Sequence, residues 1–227
     1  MEEFISMGIW KENDKIPSEA ELADMFGINR FTVRMALQKL NTLGILETYV
    51  GDGTYVRSFN FEKHLENIYQ FYMSAELMDD VSEFRNVIEI ACVRLAIRRH
   101  TEEELEELKR LCRAFEESIT AYVNAKNDPL KRQFLFEKFN DDDIALHTQI
   151  CKMSHNELLI YAYSAAKEAI RQQMLNLGHK RVMSLNPNDE IISVKSHWNI
   201  YHAIERKDFR TCKKILTEMI NNQAQEI

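Results

Sequence analysis

The first part of the chain alternates short amphipathic segments with turn-forming residues. Ser18 followed by Glu21 is a capping box that predicts the start of a helix over 18–26, and Gly27 predicts its end. Asn29 predicts the start of a second helix, which runs from Arg30 to about residue 42. This second helix has one apolar face at helical spacing, made by Val33, Ala36, Leu37 and Leu40.

Two β-prone runs follow the second helix. Residues 45–50 and 54–56 flank a turn that contains Gly51 and Gly53, which predicts a hairpin. The order helix, turn, helix, hairpin is that of a winged helix-turn-helix.

From about residue 61 onward the pattern is helical throughout. Seven helices are predicted there, and breaks between them fall near Pro129, near Asn156 and between 178 and 188. The predicted helices are 62–74, 78–99, 102–125, 131–154, 156–178, 189–206 and 208–224. The predicted fold class is therefore mainly α, with a winged helix-turn-helix over 1–58 and an all-α bundle of six or seven helices over 59–227.

Composition excludes several classes of protein. No stretch of the chain has the roughly 18 apolar residues of a membrane helix, and Glu2 and Glu3 replace the basic start of a secretory signal. The four cysteines stand far apart without a CxxC pair, so we expect reduced, buried thiols and a cytoplasmic location. The net charge of −7 by itself disfavours nucleic-acid binding. Where the basic residues stand in the sequence, however, is better evidence on this point than the total charge.

The N-terminal turn of the second helix has the composition of a DNA-reading surface. Arginine suits bidentate contact with guanine, and threonine and asparagine reach bases or phosphates. The alternative is a plain amphipathic helix whose arginines serve solubility. The glycines of the hairpin turn favour the first interpretation, because a backbone without a side chain can approach phosphate closely. The candidate DNA-binding residues are Asn29, Arg30, Thr32, Arg34, Gly53 and Thr54.

This region closely resembles the DNA-binding domain of the GntR family of bacterial transcription regulators. The resemblance is carried by Pro17, Ser18, Glu19, Glu21, Leu22, Ala23, Phe26, Gly27, Ile28, Asn29, Arg30, Thr32, Val33, Arg34, Ala36, Leu37 and Leu40, and in the wing by Gly51, Gly53, Thr54 and Val56. Ala20, Asn29 and Met35 depart from the residues usual in the family, so the operator preference does not transfer. The helix that normally precedes this block is expected to be nearly absent, and the start of the chain to be shortened.

Asp143 and His147 stand four residues apart in a predicted helix and therefore share one face. They are candidate ligands of one metal ion, with a surface ion pair as the alternative. His197 lies on another predicted helix among apolar positions, and His179 is a further candidate nitrogen ligand. Carboxylate with imidazole suits a divalent transition metal, zinc foremost, or nickel, manganese or iron.

The second half of the chain resembles the FCD domain, the helical effector-binding module of the FadR-like branch of GntR regulators. The resemblance is carried by Arg85, Ile88, Glu89, Leu95, Ala96, Asp143, His147, Asn156, Leu158, Leu159, His197, Ile200, Ala203, Ile204 and Asp208. It implies a metal site of four ligands, one aspartate and three histidines. The aspartate and two of the histidines fall on Asp143, His147 and His197. The remaining histidine of the family would fall near Leu175, and His179 lies one turn later.

Arg85 is followed by an apolar-rich helical stretch, and a buried arginine needs an anionic partner. That partner is either Glu89, one turn along the helix, or the carboxylate of a small effector. The resemblance implies small organic acids as effectors.

The predicted function is a ligand-responsive transcription regulator, a repressor that binds a palindromic operator in double-stranded DNA as a homodimer. One alternative is a metal-responsive regulator with the ion itself as the signal. A metalloenzyme is the other, but the sequence has no HExxH motif, phosphate loop or evident nucleophile with its base, so we expect no enzymatic activity.

Overall fold

The computed structural model describes residues 1–57, 75–125, 128–182 and 187–224, with side chains placed except at 75–79, 177–182, 187–192 and 222–224. The described residues fall into two compact units, one on each side of the segment 58–74. The predicted helix 62–74, and most of the junction that joins the two predicted domains, lie outside the described residues.

The first unit is a winged helix-turn-helix, as predicted. Its strands form one antiparallel sheet in the order β1, β3, β2, in which Leu46 pairs with Val56 and Ile16 pairs with Thr54. Its elements are α1 (Glu2–Ser6), β1 (Lys15–Ile16), α2 (Glu19–Phe26), α3 (Arg30–Thr42), β2 (Leu46–Tyr49) and β3 (Gly53–Val56).

The predicted signals set the ends of α2 and α3. The Ser18 side chain accepts a hydrogen bond from the Glu21 amide, and the Glu21 carboxylate accepts one from the Ser18 amide, which completes the capping box. Gly27 ends α2 in the left-handed conformation at φ 64°, which a side chain would strain. Asn29 caps α3 by accepting a hydrogen bond of 2.8 Å from the Thr32 amide.

Two short elements of this unit were not predicted. Strand β1 has two residues and helix α1 has five. Segments this short show neither the alternation of a strand nor the 3.6-residue repeat of a helix. Helix α1 occupies the place where the preceding helix was expected to be nearly absent. The ring of Phe4 in α1 lies 5.7 Å from that of Phe26 and 5.0 Å from that of Trp10, so aromatic contacts attach α1 to α2.

The apolar faces of α2 and α3 meet the inner face of the sheet in a small core. Its buried residues are Ile16, Leu22, Ala23, Val33, Leu37, Leu40, Leu46 and Val56. This core fixes the orientation of α3 and leaves the opposite face of that helix in solvent.

The second unit is entirely helical over its described residues, as predicted. The breaks near Pro129 and Asn156 fall where expected, but the helix predicted to end at residue 178 continues to Val182. Gly178 is tolerated inside this helix because good helix formers, Lys180 and Arg181, follow it closely. The helices are α4 (Ala75–Arg99), α5 (Glu102–Asn124), α6 (Pro129–Lys152), α7 (Glu157–Val182), α8 (Pro187–Glu205) and α9 (Phe209–Ala224).

Helix α6 is the central element of this unit. It packs against α4, α5 and α7, while α8 packs against α5 and α9. The largest buried cluster joins α4, α5, α6, α8 and α9, and it includes Leu108, Leu146, Ile200 and Leu216. All four cysteines are buried and free, as expected. Within the described residues, no helix combines the length and apolar character that a membrane span requires.

Candidate functional site

The N-terminal turn of α3 is exposed and carries the predicted DNA-binding side chains. The Asn29 carboxamide oxygen accepts hydrogen bonds from both the amide and the hydroxyl of Thr32, the latter at 3.0 Å. Asn29 and Thr32 therefore form a closed cap whose outer edge faces solvent. Arg30 is also exposed, directly beside this cap.

Arg34 is held by an ion pair between the two helices of the motif. Its Nε lies 2.9 Å from one carboxylate oxygen of Glu19, and its Nη2 lies 2.7 Å from the other. This bidentate pair joins the first turn of α2 to α3, and it lowers the pKa of the Glu19 carboxyl through the hydrogen bonds from Arg34. The pair fixes the direction in which the guanidinium leaves the helix. Sequence reasoning did not identify Glu19 as the partner of Arg34.

The turn of the wing is organised by charged side chains. Asp52 accepts hydrogen bonds from Lys15 at 3.0 Å and from the Tyr55 hydroxyl at 2.8 Å. A Cβ at Gly53 would clash with Cε of Lys15, so glycine here leaves room for the lysine side chain. The Thr54 hydroxyl is buried and lies 2.9 Å from that of Thr48. Its side chain therefore packs within the hairpin, and the prediction that Thr54 contacts DNA concerns the backbone of the wing turn, as it does for Gly53.

Three predicted metal ligands meet inside the second unit. Asp143 and His147 lie on α6 and His197 on α8, all three buried, with one potential ligand atom of each within 4.8 Å of the others. The Nε2 atoms of the two histidines are 3.4 Å apart, and Nε2 of His197 lies 2.9 Å from Oδ1 of Asp143. Two nitrogens that each lie about 2.1 Å from a tetrahedral ion are separated by roughly this distance.

The outer nitrogens of both histidines are anchored. Nδ1 of His147 lies 2.7 Å from Oε2 of Glu89 on α4, and Nδ1 of His197 lies 3.0 Å from the Ser193 carbonyl oxygen. The ring of Phe115 packs edge-on against His197 at 4.4 Å. These contacts direct both Nε2 atoms toward Asp143, the arrangement that metal-ligating histidines commonly show.

Arg85 lies next to this cluster and forms the predicted pair with Glu89. Its Nε donates to Oε1 of Glu89 at 2.7 Å, and its side chain is 1 % exposed. The other role predicted for Arg85, binding the carboxylate of an effector, stays a prediction. Because Glu89 also contacts His147, one carboxylate connects the arginine to the candidate metal ligands.

The electrostatics of the cluster favour a cation. Burial alone raises the pKa values of Glu89 and Asp143, but the neighbouring positive groups, Arg85 and His147 for Glu89 and chiefly His197 for Asp143, lower both to about 2. Burial alone lowers the pKa of His147, yet Glu89 and Asp143 raise it above its usual range. When both histidines are neutral, as ligands of a metal ion are, the two ionised carboxylates and the one guanidinium leave one net negative charge, which the ion would balance.

The residues present fit a divalent metal ion. Oδ2 of Asp143 is buried without a hydrogen-bond partner among the described residues, so one oxygen of the carboxylate remains available. Nitrogen and oxygen donors of this kind suit zinc and its neighbours, and three protein ligands leave at least one position open.

The fourth candidate ligand, His179, is not brought into this cluster by any described contact. It lies within α7, but its side chain is outside the described residues. Leu175, near the position where the family resemblance places a histidine, packs beside an aromatic cluster that contains Tyr122 and Phe136. The contact between Glu89 and His147 was also missed, because it joins two helices and has no signal in sequence spacing.

Residues 1–56 match the family described as "Bacterial regulatory proteins, gntR family", and residues 80–222 match the "FCD domain" family. These matches together span most of the chain. The protein belongs to the GntR family of DNA-binding transcription regulators and carries an FCD effector-binding domain.

Similar proteins of known name are also regulators. The chain is 29 % identical over 206 residues to the HTH-type transcriptional regulator LutR of Bacillus subtilis, covering 88 % of this chain and 85 % of the relative. It is 22 % identical to the Uxu operon regulator of Haemophilus influenzae, covering 98 % of this chain and 77 % of that protein. It is 25 % identical to the Glc operon transcriptional activator of Escherichia coli, covering 90 % of this chain and 76 % of that protein.

Among solved structures, the chain resembles "Streptococcus agalactiae GntR" with a TM-score of 0.70. The identity is 24 %, and the match covers 98 % of this chain and 95 % of that chain. This likeness confirms the fold.

Proposed function

We propose that the protein is a repressor whose hold on operator DNA is controlled by a small organic acid bound beside a metal ion in the FCD domain. The observation that carries this proposal is the buried cluster of Asp143, His147 and His197, with Glu89 joining it to Arg85. We place this action in the bacterial cytoplasm, on double-stranded DNA.

The DNA-binding part of the proposal assigns Asn29, Arg30, Thr32 and Arg34 to the major groove and the turn at Gly53 to the backbone. The N-terminal end of a recognition helix is the part that reaches base edges. A homodimer would present two such helices to the two halves of a palindromic operator. The pair with Glu19 supports the role of Arg34, because a guanidinium held in one direction loses less entropy when it meets a base.

The ligand-binding part assigns Asp143, His147 and His197 to a divalent metal ion, zinc or one of its neighbours. When bound, such an ion supplies positive charge and open coordination positions to a carboxylate. Arg85 would take the other oxygens of that carboxylate through its guanidinium, and Glu89 would hold the arginine in place beforehand.

Ion content tests this assignment directly. We expect the protein purified from its native host to contain about one divalent ion per chain, measured by elemental analysis, because each chain supplies one set of three buried ligands. Asp143→Ala, His147→Ala and His197→Ala should each lose most of it, because each removes a direct ligand. His202→Ala is the matched control, since this exposed histidine lies on the same helix as His197 and pairs with Glu205 at the surface.

Full ion occupancy in His197→Ala, with the wild-type protein also loaded, would contradict the site. Adding back the ion after chelation, with no organic acid present, separates two signals. If the ion alone changes operator affinity, the ion is the effector and the carboxylate is not.

A further inference from the structure

The recognition helix exposes large apolar side chains on its outermost face. Phe31 is 71 % exposed and Met35 is 49 % exposed, and Ile28 lies in the interhelical turn before α3. Phe31 and Met35 stand four residues apart, so they form one apolar stripe along α3. Isolated exposed apolar residues are ordinary, but a stripe of this kind marks a contact surface.

The stripe points directly away from the domain core. The buried face of α3 is made by Val33, Leu37 and Leu40. At about 100° per residue, Phe31 lies roughly 160° around the helix from Val33, and Met35 lies beside it one turn further on. Arg30 and Arg34 are displaced to one flank, where Arg34 meets Glu19 on α2. The apolar stripe, rather than the arginines, therefore stands furthest from the core.

The occupant of this face is DNA rather than a second protein surface. The stripe begins at the first turn of α3 and is continuous with the arginine flank and the exposed cap of Asn29 and Thr32. Positive charge beside a narrow apolar ridge is complementary to the phosphate-lined major groove, which admits one helix.

We propose that Phe31, supported by Met35, reads the C5-methyl group of thymine in the major groove of the operator. Among the four bases of DNA, thymine alone presents a methyl group there, and apolar side chains recognise it by contact. This inference rests on the proposed placement of α3 in the groove. It makes Phe31 a residue that determines specificity, while the arginines supply guanine contacts and phosphate binding.

The test uses duplex fragments selected from a random-sequence pool by the wild-type protein. Each thymine of the selected sequence is replaced in turn by deoxyuridine, which lacks the methyl group and keeps every hydrogen-bonding group. Affinity is measured by fluorescence anisotropy at one fixed salt concentration. Wild-type protein should lose about fourfold in affinity at one position of each half-site, the value expected for one buried methyl group.

Phe31→Ala should bind the all-thymine fragment more weakly and should lose its response to uridine at that position. Phe31→Leu, which keeps an apolar side chain, should retain part of the response. Phe134→Ala is the matched control, because this phenylalanine is 66 % exposed in the second unit. It should keep the full wild-type uridine profile.

Selection of a defined sequence by the wild-type protein establishes specific DNA binding by itself, so the two proposals fail separately. A scan in which no uridine weakens wild-type binding would overturn the methyl contact. An unchanged uridine profile in Phe31→Ala would also overturn the methyl contact, whether or not the oligomeric state of the variant changes.

Discussion

At the scale of single residues, the most informative contact in the DNA-binding unit is the bidentate pair between Glu19 and Arg34. The pair is largely exposed, so its contribution to folding stability is small. Its effect falls on function, because it sets the direction of the one arginine that leaves α3 in a fixed conformation.

We expect Arg34→Ala to reduce specific operator affinity by about 1–3 kcal/mol, as for a lost contact with a base. Glu19→Gln should lower the ratio of operator to random-sequence affinity, because the guanidinium loses its anchor. Arg110→Ala is the control, since Arg110 forms an equivalent bidentate pair with Glu107 in the second unit. Anisotropy titrations on operator and random duplexes measure both quantities, and wild-type ratios in both variants would refute the assignment.

At the scale of elements, side-chain caps set where several helices begin. The Thr101 hydroxyl accepts a hydrogen bond of 3.2 Å from the Glu104 amide, and the Glu104 carboxylate accepts one of 2.9 Å from the Thr101 amide. Glu104 also lies 2.9 Å from Nε2 of His155, so this cap connects the start of α5 to the end of α6.

Thr101→Ala should lower the free energy of unfolding of the second unit by about 1 kcal/mol, the usual loss for a helix cap. Thr120→Ala is the matched control, because Thr120 is exposed and its hydroxyl donates to the Glu116 carbonyl within the same helix. That change should be nearly neutral, since alanine is a good helix former. Urea unfolding followed by circular dichroism distinguishes the two, and equal midpoints would contradict the role of the cap.

The elements differ in how much of them could be predicted from sequence. Long helices with clear caps, such as α3 and α5, were predicted nearly to the residue because the pattern and the cap agree. Strand β1 was missed, since two residues carry no alternation and are strands only through pairing with β3.

The contacts of the two candidate sites likewise differ in whether the sequence could predict them. Asp143 and His147 were recognised because residues four apart share a helix face. The contact of His147 with Glu89, and that of Arg34 with Glu19, join separate helices and depend on packing that no spacing encodes.

At the scale of the whole molecule, control of DNA binding by a ligand requires the ligand site and the DNA-binding unit to influence each other. A ligand can shift operator binding only through different affinities for the DNA-competent and DNA-incompetent arrangements. The coupling must then be reciprocal, and operator must change ligand affinity by the same factor. The short junction after Arg57, which connects the two domains along the chain, lies outside the described residues.

The most direct test is a paired titration of the metal-loaded protein. Small mono- and dicarboxylates are first screened for a change in operator affinity, and the affinity of any active compound is then measured with and without bound operator. We predict that the carboxylate changes operator affinity, and the operator changes carboxylate affinity, by the same factor, corresponding to about 1–3 kcal/mol. This coupling should be lost in Arg85→Lys, which keeps the charge opposite Glu89 but lacks the guanidinium fork. If no carboxylate alters operator affinity, or if bound operator leaves carboxylate affinity unchanged, control of DNA binding by a small organic acid is contradicted.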